Sequence, residues 1–108
     1  MPMEDFMVML RRVIEEELPQ NREEGYKVAM AMLSYLQRYW SVGELRLKFD
    51  IAKQLGSTGE NIMRIEDGGV LRALRRLGIV EVVEPGVVNR VKELPKEFVK
   101  VRLDSLFT

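Results

Sequence analysis

The chain of 108 residues contains no cysteine and no histidine. Without cysteine there is no disulfide framework, no zinc–thiolate site and no thiol nucleophile. Without histidine the commonest general base and the commonest metal ligand are both missing. Asn and Gln are few, and no apolar run approaches the roughly 20 residues of a membrane span. The opening Met1-Pro2-Met3-Glu4-Asp5 is acidic and unlike a signal peptide, which points to a cytoplasmic location. No phosphate-binding loop is recognisable: Gly56-Ser57-Thr58-Gly59 lacks the Lys and the spacing. The acidic clusters, Glu15-Glu16-Glu17 and Glu66-Asp67, read as a solvated helix end and a turn rather than a carboxylate pair or a magnesium site. Ser and Thr hydroxyls have no His to activate them. The expectation is a protein that is not an enzyme and carries neither cofactor nor metal.

What is present is the material of one folded domain: 46% apolar and 31% charged residues. Abundant charge with few labile side chains fits a high-temperature source. The 17 basic and 17 acidic residues cancel, although a dedicated nucleic-acid binder is usually more basic. They are unevenly spread. Residues 1–40 carry five basic and seven acidic side chains, a net of −2, and residues 41–80 carry seven and five, a net of +2. The remainder balances.

Apolar Met3, Phe6, Met7, Leu10, Val13, Ile14 and Leu18 recur at spacings of three and four, which predicts an amphipathic helix ending before Pro19. Its C-terminal Glu15-Glu16-Glu17 opposes the helix macrodipole and calls for a basic partner opposite. Asn21, with Glu24 in a capping-box position, opens a second helix that is apolar on more than one side and belongs at the centre of the fold. Residues 44–49 alternate charged and apolar, which predicts a half-buried strand with Leu45, Leu47 and Phe49 on one face. Asp50 would then cap a short helix over 51–55 that stops at Gly56. Ser57 and Glu60 form a second capping box for a short helix over 59–66, and Asp67-Gly68-Gly69 separates it from a helix over 70–77 that stops at Gly78. Residues 79–84 are β-rich and Pro85-Gly86 marks a turn. Val87, Val88 and Val91 extend the hairpin, with the returning strand over 98–103.

The segment Val70-Leu71-Arg72-Ala73-Leu74-Arg75-Arg76-Leu77-Gly78-Ile79-Val80-Glu81 resembles the end of a recognition helix entering the wing in archaeal and bacterial winged-helix regulators. Ile51-Ala52-Lys53-Gln54-Leu55-Gly56 resembles the preceding helix of that motif. The resemblance implies an α+β fold, a winged helix-turn-helix over 21–108 with an additional N-terminal helix over 1–20, and the hairpin of 79–103 as the wing. It departs in the stretch 57–69, which is longer than the tight turn the motif has between its helices. The implied function is binding of duplex DNA by a small transcriptional regulator. The alternative is a protein-interaction module in a replication, transcription or RNA-processing complex, which the zero net charge favours.

Arg72, Arg75 and Arg76 lie at i, i+3 and i+4, sharing the face opposite Leu71, Leu74 and Leu77, and are the leading DNA-contact candidates. Lys53 and Arg64 are candidate phosphate contacts from neighbouring elements, and Arg90 and Lys92 are placed near the wing tip. Tyr39 and Trp40 close an apolar helix and are expected to pack in the core or at a domain contact rather than stack on bases. Met3, Phe6, Leu10 and Val13 form a stripe that either packs on the second helix or pairs with a second copy in a homodimer.

Overall fold

Helix α1 spans Met3–Glu17, and the predicted three–four spacing turns Phe6, Leu10, Val13 and Ile14 inward. Glu4 and Asp5 complement the positive end of its dipole, and Leu18, before Pro19, leaves helical geometry. The structure, a computed structural model, describes residues 2–56, 69–83 and 86–95. Helix α2, Arg22–Arg38, buries Val28, Ala29, Ala31, Met32, Leu33 and Leu36, which is the many-sided burial of a central helix. Asn21 holds the N-cap position but makes no side-chain cap bond, so the capping box with Glu24 is not formed. At Gly25 the two helices approach closely: a Cβ there would lie 2.5 Å from Leu18 Cδ1 and 3.2 Å from Ile14 Cγ2.

Strand β1 is only Ser41–Gly43, and helix α3 begins at once as Glu44–Leu55. The expected strand over 44–49 is therefore the first half of a helix, and Asp50 lies inside it rather than capping it. Six alternating residues also satisfy a helix when the residues beyond them are counted. Leu47, Lys48 and Ile51 form its buried face, and Leu55 extends it. Lys48 pairs with Glu44 at 3.2 Å and Arg46 with Asp50 at 3.5 Å, both at helical i,i+4 spacing. The expected stop at Gly56 is present, with φ +63°.

Helix α4, Val70–Arg76, ends in a turn in which Gly78 adopts φ +73°. Strands β2, Val80–Val83, and β3, Val87–Arg90, follow. The chain reverses between them by a turn in which the Gly86 N–H donates to the Val83 carbonyl at 2.9 Å. The return strand is thus Val87–Arg90, immediately after the turn; the residues 98–103 expected in that role lie outside the described residues, as do those of the expected helix over 59–66. The sheet is antiparallel in the order β1-β3-β2, with Val88 opposite both Val42 and Val82.

The fold class is α+β, a small three-stranded antiparallel sheet with helices packed beside it. One core joins all elements: Leu10 and Ile14 of α1, Leu33 and Leu36 of α2, Leu47 and Ile51 of α3, Leu74 of α4, and Ile79 and Val88 at the sheet. Each such side chain contributes roughly 1.5–3 kcal/mol of burial. Helix α1 packs against both α2 and α4. Among the described residues no helix is long and apolar enough to cross a membrane.

Candidate nucleic-acid interface

Helix α4 divides its residues as its spacing dictates. Val70, Leu71, Ala73 and Leu74 are buried, while Arg72, Arg75 and Arg76 are exposed on the outer side. Two of the three arginines meet the end of α1. Arg76 bonds Glu16 Oε1 at 2.6 Å through Nη2 and Glu17 Oε1 at 3.1 Å through Nη1. Arg72 Nη1 reaches Glu17 Oε2 at 3.5 Å. The hydrogen bonds that Arg76 donates to Glu16, and then to Glu17, hold its guanidinium above its ordinary value. The acidic end of α1, unfavourable to its own dipole, has the basic partner that it requires. Arg75 makes no ion pair among the described residues.

The remaining candidates scatter. Lys53 is exposed in the last turn of α3, where a cation complements the dipole. Arg64 lies outside the described residues. Arg90 is not near a wing tip. The tip is the turn at Gly86, and Arg90 sits at the other end of the hairpin, opposite Val80. Its side chain is only 4% exposed, because Val88 and Arg90 share the inward face of β3. The guanidinium lies 3.5 Å from the Trp40 ring centroid and donates to Gln37 Oε1 at 3.2 Å. Burial lowers its affinity for the proton relative to an ordinary arginine. Lys92 is exposed just beyond the same end.

Compared with known proteins, the chain matches no family model, no curated protein and no solved structure.

The geometry gives the α1 stripe the first of its two expected uses, packing, and revises the expectation for Tyr39 and Trp40. Phe6, Leu10 and Val13 are buried within one chain and Met3 packs against the same core, so the stripe considered for self-association is already covered by α2 and α4. Tyr39 and Trp40 are about half exposed rather than in the core. Trp40 offers its ring to Arg90, and Tyr39 lies against Tyr35 with ring centroids 4.9 Å apart. The Tyr35 hydroxyl in turn donates to Asp50 Oδ2 at 2.6 Å, joining α2 to α3.

Sequence reasoning missed Leu45 and Phe49, which it placed on an inward strand face. They are 79% and 75% exposed on α3. The signal that finds them is the pair of opposite-charge i,i+4 couples, Glu44/Lys48 and Arg46/Asp50, which a helix explains and a strand does not.

Proposed function

We propose that the protein binds duplex DNA through a winged helix built from α2, β1, α3, α4, β2 and β3, as a small transcriptional regulator. The observation that carries this reading is the division of α4 into a core face and an outer face bearing Arg72, Arg75 and Arg76. A helix fits the major groove, and arginine there pairs with guanine or clamps phosphate. Supporting it is the order helix, strand, helix, helix, strand, strand from α2 onward, closed by the β2–β3 hairpin as the wing. A mobility shift against mixed-sequence duplex, single strands and structured RNA across a salt series tests it. Duplex binding is expected at low salt, and Arg72→Ala with Arg75→Ala weakens it and flattens the salt slope. Absence of duplex binding at low salt refutes the reading.

A second reading, a protein-interaction module, is favoured by one observation: Leu45 and Phe49 stand exposed one helical turn apart on α3. A partner held stoichiometrically by the wild type and lost by Leu45→Ser/Phe49→Ser, in a protein that retains no DNA, selects it.

A further inference from the structure

We propose that the last turn of α1 is an internal competitor for the DNA-contacting face of α4: Glu16 and Glu17 occupy Arg72 and Arg76 in the free protein, and a phosphate backbone has to displace them. This rests on the DNA-binding reading above.

Glu17 carries the geometry. Its two oxygens go to two different arginines, Oε1 to Arg76 at 3.1 Å and Oε2 to Arg72 at 3.5 Å. Arg72 and Arg76 are one helical turn apart, so the carboxylate bridges them as two oxygens of one phosphate group would. Glu16 adds the shortest contact, 2.6 Å to the far nitrogen of Arg76. The acidic side chains stand at the wrong end of α1 for their own helix, which makes the contact across to α4 their compensation. Glu15, next to them, turns away and pairs with Arg22 at 3.8 Å instead.

The contact is built to be broken. The Arg76 and Glu16 side chains are 42% and 48% exposed, so water and salt reach the pair. An exposed pair of this kind is weak, whereas Glu17, 13% exposed, has to turn out toward water to release Arg72 and Arg76. A polyanion can replace them without unfolding α1, whose apolar face stays in the core. Arg75, between the two engaged arginines and without an ion pair among the described residues, is placed for first contact. Each displaced carboxylate regains a counterion, so the free protein binds more weakly, and with a shallower salt dependence, than its α4 face would alone.

The test uses the full chain and a fluorescent mixed-sequence duplex, with anisotropy read across a salt series. Glu16→Gln/Glu17→Gln is expected to bind about three- to tenfold more tightly than wild type at low salt, with a steeper salt slope. Glu4→Gln/Asp5→Gln removes the same charge from the other end of α1 and is expected to leave affinity within about twofold. Made in an Arg76→Ala background, Glu16→Gln/Glu17→Gln should bring a smaller gain than in wild type, because Glu16 has then lost its target and Glu17 keeps only Arg72. Glu16→Gln alone, at an exposed position that tolerates change, should show a smaller gain of the same sign. If wild type binds duplex and loses affinity on Arg75→Ala, but Glu16→Gln/Glu17→Gln matches wild type or the Glu4/Asp5 control, the competitor is refuted and the DNA-binding reading stands. If no variant binds duplex at low salt, both fall together.

Discussion

Asp50 shows how one side chain reports on a contact between two helices. Its carboxylate is held below its ordinary value, first by the Tyr35 hydroxyl and then by Arg46, against the opposing cost of partial burial. Burial, and then the Asp50 hydrogen bond, push Tyr35 upward. Because the Asp50 value is depressed in the fold, its contribution to stability is complete above the ordinary carboxylate range. That contribution is lost as pH falls through the depressed value. The raised Tyr35 value acts at the other extreme, its contribution fading as pH climbs past about 10. Tyr35→Phe is expected to bring the Asp50 midpoint back up toward the ordinary value, followed by the carboxyl carbon shift in an NMR titration. A midpoint that does not move refutes the coupling. Neither this pair nor the Arg90–Trp40 contact was legible in the sequence. Arg90 resembles any cation near a strand end until the register makes it share the inward face of β3 with Val88.

Elements were legible in proportion to their length and periodicity. Helices α1 and α2 are long enough for a 3.6-residue repeat to leave no rival reading, and Gly78 marks the end of α4 because its positive φ suits glycine. Helix α3 looks like a strand in the sequence because its first six residues alternate by two, and the decisive residues, Ile51 and Leu55, come after them. The difference is measurable. Leu47→Ala removes a fully buried side chain and is expected to cost about 2–5 kcal/mol in urea unfolding. Leu45→Ala and Phe49→Ala are expected to stay within about 0.5 kcal/mol, being exposed. A strand with all three on one face would make the three losses comparable.

Across the whole molecule, the two oppositely charged parts of the chain meet where α1 lies on α4. The uneven charge was visible in the sequence, as was the need of Glu15-Glu16-Glu17 for a basic partner. The identity of that partner was not. Glu16 and Arg76 are 60 residues apart, and only the packing of α1 across the core brings them together. The candidate site was thus legible as a list of arginines but not as a state of occupation. Arg72 and Arg76 are engaged and Arg90 is buried.

The sheet order β1-β3-β2 sets a timetable for synthesis. The strand that completes both ladders is the last of the three to leave the ribosome, and β1 and β2 never bond each other. Until Val88 has emerged, Val42 and Val82 have no cross-strand neighbour, and both strand edges stay open to other chains. A chain stopped after Gly86 is expected to lose amide-exchange protection at β1 and β2 together while α1 and α2 keep helical circular dichroism. Loss of only one strand's protection would mean the sheet assembles in two independent steps. In the intact protein, the final few residues of the hairpin close a gap left open since the chain passed residue 43.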